Sequence, residues 1–400
     1  MATILQITLL RYPEIRGGVD AMVVNLTAHL RRRHRVCVLV PTGWDTRSVV
    51  RNDVDGVPVY SMRLRMPIDP RRPWRGFFGW LLEFPRTLFR LRSLVRAEGI
   101  DLIHAHMGVD HQIYFRCLRW LGGPPYVITL HGSDVSLFSH LSRSSQMAVR
   151  FALGGAARVV AVSGSLARAA EKQFPHLSPL PRIFNGLMLP GPEFVAGQMA
   201  GQASAVLPER FAVMVGSFDP YKGHDLALLA WGQLKAFEPD LHLVVIGDGV
   251  LRASYVSLIA EQECTKTVHL TGQIGHDDVL RIMAAAELMV FPSRSEGLPY
   301  VLLEAGAVGI PVVCTRIPVF EEIIDDDVNG LLVPLDEPEA LVAAVVRLAR
   351  DPQLRVRLGS CLREQVQTGF TAEAMTASYE ALYQSVLGRP RPSEQMAGFL

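Results

Sequence analysis

Short apolar runs with the length of buried strands alternate with segments of helical spacing along nearly all of this 400-residue chain. That alternation admits few folds. It predicts an α/β architecture of parallel sheets covered by helices, since each apolar strand needs a cover on both faces. Expected strands are Thr3–Leu9, Val36–Val40, Val57–Met62, Arg158–Val162, Phe211–Val215, His242–Ile246, Val268–Gly272 and Ala286–Phe291. Expected helices are Val19–Arg33, one from Leu226, Pro338–Arg350 and Thr371–Leu387. The length exceeds one typical core and suggests two domains. The pattern pauses at LPGPEFVAGQMAGQASAVLPER, rich in Gly, Ala, Ser and Pro without periodicity, which reads as a linker. Expected boundaries are 1–188, linker 189–209, 210–370, a terminal helix 371–387 and a flexible tail 388–400.

Charge narrows the class of partner. Residues 1–190 carry 25 Lys and Arg against 12 Asp and Glu, a net +13, and residues 191–400 carry 15 against 27, a net −12. Such asymmetry suggests an anionic partner for the first half. No nucleic-acid motif accompanies it, so a phospholipid surface or a lipid-phosphate acceptor fits better. Within that half, RRPWRGFFGWLLEFPRTLFRLRSLVR (Arg71–Arg96) interleaves arginines with Trp74, Phe77, Phe78, Trp80, Leu81, Phe84 and Phe89. Pro85 is expected to interrupt any helix there. Two readings stand side by side: a basic amphipathic segment lying on an anionic membrane, and a core-facing helix with arginines in water. The five cysteines are scattered and odd in number, supporting neither a disulfide framework nor a zinc site. MATILQITLL reads as a first buried strand rather than a signal peptide, and no apolar stretch is long enough to span a bilayer. A cytoplasmic protein is expected, with peripheral contact to the inner membrane face as the open question.

The chemistry concentrates in FPSRSEGLPYVLLE, Phe291–Glu304. An apolar strand precedes it, and Val301, Leu302, Ala305 and Val308 keep helical spacing after it, with Pro299 expected at the first helical position. A helix N-terminus following a strand and a tight turn is a natural anion site, because its first N–H groups lack partners and the dipole favours negative charge. Leu298, Tyr300 and Val301 supply the candidate amides. Glu296 and Glu304 can accept hydrogen bonds from a ligand's hydroxyls, so a phosphorylated, hydroxyl-rich ligand is implied. Taken alone, the spacing favours the plainer reading, with Glu296 as an N-terminal cap and Glu304 as a solvated helix residue.

EGLPYVLLE resembles the E-x7-E motif of the family-4 retaining glycosyltransferases, and FPSRSEG and LEAGAVGIPVV match that family closely. The resemblance covers nearly the whole chain. It implies the GT-B fold: two Rossmann-like domains facing across a cleft, with the final helix crossing back onto the first. It also implies that Glu296 contacts the donor sugar and Glu304 the ribose of a nucleotide diphosphate-sugar. Gly216, Lys222 and Gly223 match the family's G-R-x-x-x-x-K-G element, with Ser217 where the family has arginine. In the family that arginine and the lysine hold the donor diphosphate, so Lys222 is expected to do so, helped by the helix start or by Arg294. Gly17 and Gly18 match the family's glycine pair beside the donor phosphates, and Gln273 and Ile274 fall where it reads the base through backbone groups. Gly297 completes the donor set. On the acceptor side the resemblance places His131 and Asp134 of Thr129-Leu130-His131-Gly132-Ser133-Asp134. Asn185-Gly186 resembles the family's NG element, with Met188 where an aspartate is usual.

His104 and His106, separated by one residue on a strand, are expected on opposite faces, so no shared metal is expected of them. Asp53-Val54-Asp55 resembles the DxD metal motif of a different glycosyltransferase fold, but it precedes Gly56 and a strand and reads as a surface turn. Asp325–Asp327 likewise reads as a solvated turn. The implied activity is metal-independent, cofactor-free transfer of a sugar, with retention, from a nucleotide-sugar to a hydroxyl of a glycan or lipid-linked acceptor. Bacterial cell-envelope or exopolysaccharide synthesis is the expected setting. His131, Lys222 and Glu296 are cast as the catalytic residues. Two alternatives remain open at this level: a nucleotide-sugar epimerase of similar fold, and a non-catalytic nucleotide-sugar-binding subunit marked by Ser217 and Met188.

Overall fold

A computed structural model describes residues 1–8, 12–14, 17–42, 49–64, 73–191, 194 and 207–388. In chain order the first half holds β1 (Thr3–Ile7), α1 (Gly18–Leu30), β2 (Arg35–Thr42), β3 (Val50–Val54), β4 (Val57–Arg63), α2 (Pro73–Ala97), β5 (Leu102–His106), α3 (Ile113–Trp120), β6 (Tyr126–Leu130), α4 (Ser133–Ser136), α5 (Arg143–Leu153), β7 (Arg158–Ala161) and α6 (Gly164–Gln173). The second holds β8 (Phe211–Val215), α7 (His224–Leu234), β9 (His242–Ile246), α8 (Arg252–Glu261), β10 (Val268–Gly272), α9 (His276–Ala285), β11 (Leu288–Phe291), α10 (Tyr300–Val308), β12 (Val312–Thr315), β13 (Leu331–Val333), α11 (Pro338–Arg350), α12 (Pro352–Gly369) and α13 (Ala372–Leu387). The chain forms two compact units: Met1–Gly186 together with the chain from Ala372 onward, and Leu187–Thr371. Most of the expected linker and all but Gly388 of the expected tail lie outside the described residues.

The second unit is a six-stranded, all-parallel sheet in the order β10-β9-β8-β11-β12-β13. Relative to its first strand this is the doubly wound order 3-2-1-4-5-6, whose direction reverses between β8 and β11. Leu243, Val245, Leu288, Val313, Trp231 and Val345 form its fully buried core. Continuous apolar runs were expected of strands covered on both faces, and β8, β9 and β10 have the expected ends.

The first unit repeats this order, β4-β2-β1-β5-β6-β7, with β3 added antiparallel on the outer edge. β3 corrects the sequence reading. Asp53 and Val54 end a strand, and the turn itself is Asp55-Gly56, with φ of 51° and 77°. These angles suit a two-residue hairpin, and Gly56 N donates to Asp53 Oδ1 at 2.8 Å. VRNDV carries the polarity of an edge exposed to water, so no apolar run announced it.

Pro85 requires a second correction, because α2 runs through it as one helix. A proline inside a helix costs roughly 3 kcal/mol. Leu91, Leu94 and Val95 are buried, and Phe84 stacks on Tyr114 with centroids 4.9 Å apart. At about 1.5–3 kcal/mol for each buried aliphatic side chain, this packing outweighs the proline. Leu81, Leu82 and Phe89 remain exposed alongside Arg86 and Arg90. The described part of α2 thus combines a core-facing face and an exposed apolar-basic one; Arg71 and Arg72 lie outside the described residues. No described helix is long and apolar enough to cross a membrane.

Candidate active site

In the second unit the loops after β8 and β11 lie at the reversal point of the sheet, outside the carboxyl ends of the strands, where such sheets bind ligands. Gly223 sits at φ 72° as the cap of α7, and a Cβ there would fall 1.9 Å from the carbonyl oxygen of Pro292. Only glycine lets the two loops approach so closely. They are joined further by Arg294 N donating to Tyr221 O at 2.7 Å. The result brings two residues 74 positions apart into contact: Lys222 Nζ donates to Glu296 Oε1 at 2.8 Å. Ser293 Oγ donates to the same oxygen at 2.8 Å. The pair is mostly enclosed, with side-chain exposures of 19% and 8%. A cation held against a carboxylate at a helix start can bind a phosphate while the carboxylate takes a hydroxyl.

α10 begins at Tyr300, with Pro299 as its extended cap (φ −74°, ψ 112°) rather than its first helical residue. The Tyr300 and Val301 amides therefore open the helix. Gly297 and Leu298 are buried in the turn before it. Glu304, one turn further in, is buried, and burial raises its carboxyl pKa to about 7. His276, the first residue of α9, brings Nδ1 to 3.7 Å from Glu304 Oε1. Burial lowers the pKa of His276, with Asp277 opposing, so near neutrality it supplies a dipole rather than a full charge. Nothing local in the sequence marked His276 or Ser293. Gln273 and Ile274 lie in the same β10–α9 connection, Gln273 exposed.

Gly216 N donates to Ile246 O at 3.0 Å, fixing the exit from β8. Ser217, in place of the expected arginine, donates to Asp219 Oδ2 at 2.5 Å, and Tyr221 Oη donates to the same oxygen at 3.2 Å. Arg294 does not stand in as a spare cation. Its guanidinium forms two 2.8 Å bonds to Asp225, one of 2.7 Å to Asp336 and one of 2.9 Å to Pro220 O. It braces the loop, and Lys222 is the cation that meets Glu296.

In the first unit, Gly17 caps α1 and Gly18 begins it, both exposed. Parts of the loop before them lie outside the described residues. His131 follows the end of β6. Asp134 accepts from the amides of Gly132 (2.8 Å), Gly108 (2.9 Å) and His131 (3.1 Å). Burial raises its pKa against the pull of these amides. Its carboxylate thus holds the loop that carries His131. The expectation for His104 and His106 is overturned: residues two apart on a strand share a face, and their rings lie 4.2 Å apart. His106 Nδ1 is 3.3 Å from His131 Nε2, a contact 25 residues apart that the sequence reading missed. Ser163 caps α6, accepting from Leu166 N at 3.2 Å. Asp327 pairs with Arg347 at 2.8 Å.

Two family models match the chain: Glycosyltransferase Family 4 over residues 16–187 and Glycosyl transferases group 1 over residues 201–365. A Bacillus subtilis protein named as a teichuronic acid biosynthesis glycosyltransferase, TuaC, is 30% identical over 338 residues, covering 82% of this chain and 83% of that one. Among solved structures, sucrose-phosphate synthase from Thermosynechococcus elongatus aligns with a TM-score of 0.76 and 22% identity over 97% of this chain and all of that one. Anabaena HepE, in complex with UDP and glucose, aligns at 0.74 and 18% over 96% of this chain and all of that one. The two parallel-sheet units are those of the GT-B architecture. The chain belongs to the family-4, group 1 glycosyltransferases.

Proposed function

We propose that this glycosyltransferase is a retaining, metal-independent enzyme that moves a sugar from a nucleotide diphosphate-sugar to a hydroxyl of a glycan or lipid-linked acceptor. The observation that carries this reading is the Lys222–Glu296 pair at the reversal point of the second sheet, beside the start of α10. A diphosphate would take over Lys222 and the Tyr300 and Val301 amides, freeing Glu296 for the sugar. Glu304 would accept ribose hydroxyls. Charge grows on the leaving diphosphate as the glycosidic bond breaks, so Lys222 and the helix start stabilise the transition state more than the ground state. That diphosphate would also help take the acceptor's proton. The UDP in the HepE complex and the glycan-synthesis name of TuaC support the choice of donor and setting. A cytoplasmic enzyme, peripheral on an anionic membrane through α2, would suit a lipid-linked acceptor; the exposed Leu81, Leu82 and Phe89 beside Arg86 and Arg90 support this placement.

One observation favours a second reading. Ser217 brings no charge, its hydroxyl is bonded to Asp219, and Arg294 is occupied. A nucleotide-sugar-binding subunit without turnover would tolerate that loss. Thermal stabilisation by a panel of UDP-, GDP- and ADP-sugars identifies the donor. Transfer assays then follow the anomeric configuration of the product by NMR, with and without a chelator. Retained configuration and chelator-insensitive transfer support the proposal; inversion or metal-dependent transfer overturns it. Binding without transfer or hydrolysis favours the second reading.

A further inference from the structure

A chain of buried polar side chains runs through the first unit from α13 to the end of β6. Tyr383 Oη lies 2.6 Å from His104 Nδ1, and His104 Nε2 lies 2.8 Å from Thr129 Oγ1. Gln6 Nε2 donates to Tyr383 Oη at 3.5 Å, and Gln6 Oε1 lies 2.8 Å from His106 Nε2. His106 Nδ1 in turn lies 3.3 Å from His131 Nε2. Burial lowers the pKa of His104 and His131 to about 3, and that of His106 well below its usual value. The three rings are therefore neutral, each with one N–H and one bare nitrogen.

The partners decide where each proton sits. At 2.6 Å the contact to His104 Nδ1 is shorter than an N–H donor usually makes and suits an O–H donor, so the single phenol proton is assigned to it. Toward Gln6 the phenol oxygen accepts, which turns the Gln6 amide so that its carbonyl faces His106. A carbonyl can only accept, so His106 carries its proton on Nε2 and its Nδ1 is bare. The proton between the two rings then belongs to His131 Nε2. His131 Nδ1 is left with a lone pair and, among the described residues, no hydrogen-bond partner.

We propose that Gln6 and His106 are positioning residues that hold His131 in its Nε2–H tautomer, so that Nδ1 presents a hydrogen-bond acceptor to a substrate hydroxyl. The proposal rests on the glycosyltransferase reading above and adds a role for residues outside the family motif. A ring that stays neutral at working pH orients a hydroxyl rather than removing its proton. The task left to His131 is to select a hydroxyl-bearing substrate group and fix its angle.

Nitrogen-15 NMR of the full chain with labelled histidine, without substrate, reads the protonation of each ring nitrogen. His131 and His106 are assigned by the signals lost in His131→Gln and His106→Asn. Both rings should be protonated at Nε2 and bare at Nδ1; a proton on His131 Nδ1 overturns the proposal. In transfer assays His106→Leu should lower kcat about tenfold, the value of one neutral hydrogen bond, with the donor KM unchanged. His106→Asn, whose amide oxygen can accept from His131 Nε2, should recover most of that loss. Equal losses in the two variants overturn the positioning role. Should the wild type transfer no sugar from any donor, the functional reading fails, while the NMR result still decides the tautomer.

Discussion

Glu304→Gln should make the empty protein more stable and the donor complex weaker. Burial lifts the folded-state carboxyl pKa from 4.5 to about 7. Holding the ionised form in place therefore costs about 3 kcal/mol. The sign follows from proton counts. Between pH 4.5 and 7 the folded state binds more protons at this site than the unfolded chain, so its contribution to stability falls as pH rises and levels off above 7. Burial also lowers the pKa of His276, 3.7 Å from Glu304 Oε1, so above neutrality it brings no full charge to offset that cost. A glutamine of the same shape has no such penalty. Denaturant midpoints of the empty protein should agree for wild type and variant near pH 4.5. By pH 8 they should separate, the variant being more stable by up to about 3 kcal/mol. Donor binding should move the other way. Charge-assisted bonds from ribose hydroxyls to Glu304 would be lost, at roughly 1.5–3 kcal/mol each, or about ten- to a hundredfold in affinity. A stability gap that does not change with pH would refute the buried, raised carboxyl. Unchanged donor affinity by calorimetry would refute its ribose contact.

Lys222→Ala should lower turnover more than it raises the donor KM, because charge on the leaving diphosphate peaks in the transition state; wild-type turnover would mean another cation holds the phosphates. Ser217→Arg in that background tests whether a charge at the expected position restores transfer, and no gain would mean that the missing arginine is not what limits it. Gly223→Ala should destabilise the second unit by at least about 2 kcal/mol, from the positive φ and the overlap with Pro292 O, and a denaturant midpoint like the wild type's would contradict the close loop approach. Wild-type binding to anionic vesicles should weaken with salt and vanish when Arg72, Arg75, Arg86 and Arg90 become serine, with donor affinity unchanged; indifference to such vesicles at low salt would remove the membrane from the proposal.

The sequence by itself determined the α/β class, the central strands and the strand–turn–helix segment that carries Glu296 and Glu304. β8, β9, β10 and α11 have the expected ends because parallel strands buried on both faces, and a helix with one apolar stripe, write their periodicity locally. Glu296 and Glu304 were legible for the same reason: both lie on one strand–turn–helix segment. β3 was not, since an edge strand facing water lacks an apolar run. Pro85 misled because the packing of Leu91, Leu94 and Val95 onto the core, which offsets its cost, is a tertiary term. Only the tertiary structure brought Lys222 against Glu296 across 74 positions, drew Arg294 into Asp225 and Asp336, and set Glu304 deep enough to raise its pKa. It alone set Gln6, His106 and His131 in one line with Tyr383, which lies 377 residues from Gln6. Burial and hydrogen bonding between distant segments depend on which strands become neighbours, and that order leaves no periodic trace around any one of these residues.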